Sequence, residues 1–111
     1  MNLETRIQPL GEPFFPSAKI VKRNGDLVDF DLARIRRAIA AAVAATGEPM
    51  TSGELDALTE RVHEEIGRRF VELYPNVENV QDIVEKHLML DGRYTTAKAY
   101  ILARAERQRA R

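Results

Sequence analysis

Lys19-Ile20-Val21-Lys22-Arg23-Asn24-Gly25-Asp26-Leu27-Val28-Asp29-Phe30-Asp31 is the stretch on which the reading of this chain turns. Two short runs of β-branched and apolar residues flank Asn24-Gly25. That is the strongest short-range hairpin signal, because both central residues of a type I′ turn need positive φ. With Asn24 and Gly25 at the tip, Arg23 faces Asp26, Lys22 faces Leu27, Val21 faces Val28 and Lys19 faces Phe30. Alternation then puts Val21, Val28 and Phe30 on one face and sends Lys22 and Arg23 to opposite faces. Strand twist must bring the two cations round if both are to serve one anion. The alternative is that both are solvated charges at a hairpin tip.

Asp31 reads as the N-cap of a first helix, in which Leu32, Ile35, Ile39, Ala42 and Val43 recur at helical spacing until Gly47 and Pro49 end it near Thr46. Thr51 with Glu54 makes a capping box for a second and longest helix, whose stripe runs through Leu55, Leu58, Val62, Ile66, Phe70 and Leu73 to Tyr74-Pro75. Asn76 starts a third, with Val77, Val80, Ile83, Val84, His87 and Leu88 inward, stopped by Asp91-Gly92. Thr95 or Thr96 opens a fourth, with Ala97, Tyr100 and Ile101 inward and Arg104, Arg107, Arg109 and Arg111 spread around a polar tail. The expected fold class is α+β, an N-terminal β-hairpin or small sheet capping a four-helix cluster. Residues 1–17, with Pro9, Gly11, Pro13 and Pro16, read as an irregular arm carrying Phe14 and Phe15 as possible anchors.

A chain of 111 residues holds one domain with one core. Seventeen basic residues balance seventeen acidic ones, so no global field recruits nucleic acid or an anionic membrane, and anion binding must come from local placement. No apolar run approaches the ~20 residues of a membrane span, and the N-terminus lacks signal-peptide character. A cytoplasmic protein is the expectation. The absence of cysteine excludes disulfides, thiolate metal sites and thiol radical chemistry. There is no Gly-x-x-x-x-Gly-Lys-Ser/Thr loop, no Gly-x-Gly-x-x-Gly and no histidine pair at ligand spacing. His63 and His87 read as structural, and acidic pairs such as Glu64-Glu65 as helix surface.

Arg34, Arg36 and Arg37 lie in the first two turns of helix one, where positive charge opposes the macrodipole at a cost of a few tenths of a kcal/mol. An anion bound there explains the placement, since the helix N-terminus and an arginine would act together on phosphate oxygens. For Arg34, anion contact and plain solvation stay open; for Arg36 and Arg37, solvation is the simpler reading.

Three blocks in order, Val21-Lys22-Arg23-Asn24-Gly25 with Phe30-Asp31 and Ile35, then Val80-Gln81-Asp82-Ile83-Val84-Glu85, then Ala97-Lys98-Ala99-Tyr100-Ile101-Leu102 with Arg104, make the chain resemble an ATP-cone. This is the regulatory nucleotide-binding domain found mainly at the N-terminus of ribonucleotide reductases. The resemblance covers about residues 18 to 105, leaving 106–111 as a charged helical tail or linker. It implies that Lys22 and Arg23 contact nucleotide phosphates and that Asp31 and Arg34 help hold base or phosphate. Lys98 becomes a further cation on the closing helix, with Tyr100 or Arg104 as a wall. Asp31 stands where some members have asparagine; a carboxylate accepts from the adenine amino group but repels phosphate.

The resemblance further implies ATP or dATP as allosteric ligand, bound with Mg²⁺ and not hydrolysed. Its output would be control of a ribonucleotide reductase through conformation or through self-association with dATP. The partner would be the reductase's catalytic or radical-generating subunit, and catalysis would belong to another domain or chain. An N-terminal domain of a longer protein is expected. Two rivals are a nucleic-acid-binding module using Arg36, Arg37, Arg104, Arg107, Arg109 and Arg111, and a protein-interaction module whose contact face is the Ala-rich helix one.

Overall fold

The computed structural model describes residues 19–110. The expectations about residues 1–17, including Phe14 and Phe15, and about Arg111 lie outside the described residues. The order of elements is β1 (Lys19–Val21), β2 (Leu27–Asp29), α1 (Leu32–Thr46), α2 (Ser52–Arg69), α3 (Val77–Leu90) and α4 (Tyr94–Arg109), with β1 and β2 forming an antiparallel hairpin. This is the expected α+β arrangement.

The hairpin register differs from expectation by one residue. Lys19 pairs with Asp29, Ile20 with Val28 and Val21 with Leu27. The turn is closed by the Gly25 amide on the Lys22 carbonyl at 2.9 Å and by the Lys22 amide on the Asp26 carbonyl at 2.8 Å. Arg23 and Asn24 are therefore the central turn residues, and Gly25 follows them at φ 94°. A three-residue loop with glycine in the left-handed region satisfies the Asn-Gly signal as well as a two-residue one does. A slip of one residue exchanges the faces, so Ile20, not Val21, stands opposite Val28. Ile20 and Phe30 pack against the helical core. Val21 instead donates its amide to the Pro75 carbonyl at 2.9 Å, stitching β1 to the entry of α3.

Each helix begins where a local signal stops the preceding segment. Asp31 accepts from the Ala33 amide, Thr51 and Glu54 form a reciprocal capping box, and Asn76 with Asn79 forms another. The α1 end is a left-handed Gly47 whose amide bonds the Val43 carbonyl. In the other two places the expectation fails. Helix α2 stops at Arg69, where Phe70 leaves helical backbone at φ -114° and ψ 67°, and Leu73 is 73% exposed rather than inward. Helix α4 begins at Tyr94 without a side-chain cap of its own, and Thr96 is fully buried inside its first turn.

Helix α1 packs on α2 and α4, and α3 packs on α2 and α4, so the four helices close a ring. Ile39, Leu58, Val62, Ile83, Val84 and Leu88 fill its axis, each at most 1% exposed. Burial of each such side chain contributes about 1.5–3 kcal/mol. Tyr100 completes this core from α4, while Ile101, expected inward, faces solvent.

Candidate functional site

Three of the expected cations lie on the hairpin tip and in the first turn of α1. The Lys22 ammonium is exposed and forms no ion pair among the described residues. Arg34 lies one turn into α1, its amide on the Asp31 carbonyl at 3.1 Å, with its guanidinium exposed and likewise unpaired. Asp31 Oδ1 accepts from the Ala33 amide at 3.1 Å, and Oδ2 stands 3.8 Å from Arg37. Asp31 is thus a cap first. Residue 30, between the hairpin and that cap, is a ring stacked on His63 of α2 at a centroid distance of 6.0 Å and an interplanar angle of 11°. The Phe30–His63 pair fixes the hairpin to the bundle, and the sequence reading did not find it.

Arg23 is not a free cation. Its Nη2 donates to Glu78 Oε2 of α3 at 2.7 Å. Glu78 Oε1 accepts from Arg104, whose Nη1 also donates to Asp82 at 3.0 Å and to Glu85. Glu78, Asp82 and Glu85 recur at 4 and 3 residues, one face of α3, and form a carboxylate cage around a guanidinium only 14% exposed. Burial alone would lower the pKa of Arg104, but its bonds to Glu78, Glu85 and Asp82 outweigh this and raise it. The hydrogen bond from Arg104 holds Glu78 below the usual carboxylate range. Arg104, expected on a polar tail, is the hub joining α4 to α3 because three carboxylates repay its desolvation.

The remaining expected residues are on α4 and are not joined to the hairpin by any bond among the described residues. Lys98 is exposed and forms no ion pair there. Tyr100, two residues on, turns into the core at 5% exposure, and burial pushes its phenol up to about 12. Among the arginines of the nucleic-acid alternative, Arg36 binds Asp56 at 2.6 Å, Arg109 binds Glu106 at 3.1 Å, and Arg104 is caged.

Glu65, expected at the surface, is 4% exposed. Oε2 accepts from Lys86 at 2.6 Å and from Arg69 at 3.2 Å, and Oε1 lies 2.7 Å from His87 Nε2. Desolvation pushes its carboxyl up, but the bonds from Lys86, His87 and Arg69 prevail and bring it down to about 2. The signal was present: Glu65 stands seven residues after Leu58 and three after Val62, on the buried stripe of α2. This cluster is a structural joint between α2 and α3, remote in sequence from the hairpin.

Among the described residues no group of three or more His, Asp or Glu side chains is placed to hold a metal ion, and no helix is long and apolar enough to cross a membrane. The sequence profile of the ATP cone domain matches residues 18–109. The chain is 40% identical over 98 residues to a ribonucleoside-diphosphate reductase subunit alpha of Chlamydia pneumoniae, covering 83% of this chain and 9% of that protein. It is 38% identical over 108 residues to the protein of the same description from Chlamydia muridarum, covering 90% and 10%. A vitamin B12-dependent ribonucleoside-diphosphate reductase of Mycobacterium tuberculosis (strain ATCC 25618 / H37Rv) is 35% identical over 96 residues, covering 85% and 13%. The chain spans about a tenth of the length of these relatives.

Proposed function

We propose, since this chain belongs to the ATP cone domain family, that it binds ATP and dATP reversibly and acts as an allosteric sensor, not as a catalyst. The family match carries the reading. Exposed Lys22 and Arg23 at the hairpin tip and Arg34 in the first turn of α1 are the cations this reading assigns to phosphate oxygens. Lys22 and Arg34 are available as they stand, and Arg23 becomes available when it leaves Glu78. Asp31 orders the helix start, and in this reading its carboxylate accepts from the base amino group. Lys98 supplies a further cation from α4, while Tyr100 and Arg104 hold the wall behind it through core packing and the carboxylate cage. Mg²⁺ arriving with the nucleotide would carry part of the roughly four phosphate charges that these cations share.

The nucleotide-binding unit is assigned to residues 18–105, with 106–111 as a charged tail or linker. Its regulated partner is a ribonucleotide reductase, the activity in the descriptions of its relatives. Catalysis resides in another domain or chain, and control passes through conformation or through self-association with dATP. Each nucleotide biases such an equilibrium only by its differential affinity for the two states, about 1–3 kcal/mol of coupling. Isothermal titration with ATP, dATP and GTP in Mg²⁺, with light scattering on the same samples, tests this reading. Tight adenine-nucleotide binding, weak GTP binding and a mass increase with dATP are expected. No binding at millimolar nucleotide refutes it and leaves the protein-interaction reading.

A further inference from the structure

Glu78 is where the hairpin tip meets the last helix. Its Oε2 accepts from Arg23 at 2.7 Å and from Gln108 Nε2 at 3.2 Å, and its Oε1 accepts from Arg104. The side chains of Arg23 and Glu78 are 32% and 40% exposed, so a dissolved anion can reach the pair. Arg104 has Asp82 and Glu85 besides, and is only 14% exposed. Of the two arginines on Glu78, Arg23 has a single carboxylate partner and is the one at the surface.

We propose that Glu78 is an internal competitor for phosphate at Arg23. In the nucleotide-free domain its carboxylate holds Arg23 against α3. A polyphosphate displaces that carboxylate, which then bears wholly on Arg104 and Gln108 of α4. The inference rests on the nucleotide reading above and adds a route by which occupancy is felt at the far end of the chain. The bond from Nη2 to Glu78 holds the Arg23 guanidinium in one orientation and cancels part of its charge, so a phosphate that takes Nη2 must displace that carboxylate. The exchange is reciprocal: whatever draws Glu78 toward Arg104 releases Arg23, and whatever takes Arg23 frees Glu78 for α4. A single carboxylate thereby links the state of the site to α4.

Titration of the wild-type chain, Glu78→Gln, Glu78→Asp and Glu85→Gln with MgATP separates this competition from a general field effect. Glu78→Gln removes the competing charge. Glu78→Asp keeps the charge at the α3 N-terminus but withdraws it from Arg23 by one methylene, and circular dichroism establishes that each variant is folded. Both Glu78 variants are expected to bind MgATP about twofold to fivefold more tightly, the factor that a partly exposed ion pair is worth. Glu85→Gln, which loses a bond to Arg104 but none to Arg23, is expected to bind as wild type does. The Arg104 guanidinium proton resonances should move on ATP addition in wild type and stay still in Glu78→Gln. Unchanged affinity in both Glu78 variants, or an equal gain in Glu85→Gln, overturns the competition while leaving nucleotide binding intact. A wild-type chain that takes up no nucleotide ends the underlying reading and the competition with it.

Discussion

Replacing Glu65 with glutamine removes the charge from the most buried carboxylate among the described residues while keeping its size. The side chain is 5% exposed and bonded to Lys86, His87 and Arg69, and its carboxyl is held at about 2 against an ordinary value of 4.5. A folded-state value below the unfolded one means stability that is complete above about pH 5 and lost as pH falls toward 2. At about 1.4 kcal/mol per pKa unit, the ionised carboxylate contributes about 3 kcal/mol at pH 5 and above. The same linkage leaves less than half of that contribution at pH 3 and little of it at pH 2. Urea unfolding of wild type and Glu65→Gln at pH 7, 5, 4 and 3 measures the gap between them directly. Other carboxylates titrate in both proteins, so the difference isolates Glu65. The gap should close by more than half between pH 5 and pH 3. A gap that is absent at pH 7, or as wide at pH 3 as at pH 7, would show that the ionised carboxylate is not what joins α2 to α3.

Lys22→Ala combined with Arg23→Ala should abolish MgATP binding by calorimetry while lowering unfolding free energy by less than about 1 kcal/mol, because neither cation is deeply buried; retained affinity would remove the hairpin from the phosphate site. Leu58→Ala, at a position with no exposure, should cost about 2–5 kcal/mol in urea unfolding, whereas Leu102→Ala on the open face of α4 should stay within about 0.5 kcal/mol. A comparable loss at both would misplace the core. Gly25→Ala meets no atom within 4 Å, so its expected penalty of about 1–2 kcal/mol comes only from the φ of 94°. A neutral result would mean the loop readily adopts another turn.

Helix limits were legible where they are fixed by groups a few residues apart. Asp31, Thr51 with Glu54, Asn76 and Gly47 each satisfy or end a helix through bonds to near neighbours, and those limits agree with the structure. What depends on distant partners was not legible. The Asn24-Gly25 pair fits both a two-residue and a three-residue loop, and only the packing of Ile20 and Phe30 on the bundle selects between registers. The face Glu78, Asp82 and Glu85 can be seen in the sequence, but nothing there says that Arg104 enters it. Glu65 was judged by its type and not by its position on the stripe of α2. Of the candidate site, the exposure of Lys22 and Arg34 agrees with their being charged residues on a turn and a first helical turn. The Arg23–Glu78 pair and the Phe30–His63 stack needed the fold to be seen.

Helix α4 borrows the group that opens it. Glu48, in the connection between α1 and α2, accepts from the Thr96 amide at 3.2 Å and from the Thr96 hydroxyl, while Arg93 donates to the Pro49 carbonyl at 2.7 Å. A cap supplied from 48 residues away cannot act until the intervening chain has closed a long loop, whose entropy must be met first. The last helix is therefore expected to form its first turn late in folding, after α1 and α2 have docked. Glu48→Gln should speed unfolding far more than it slows folding, a partition readable from the two limbs of a denaturant chevron. Its N-terminal turn then reports on whether the α1–α2 connection is in place, much as a keystone is set only once both sides of an arch stand.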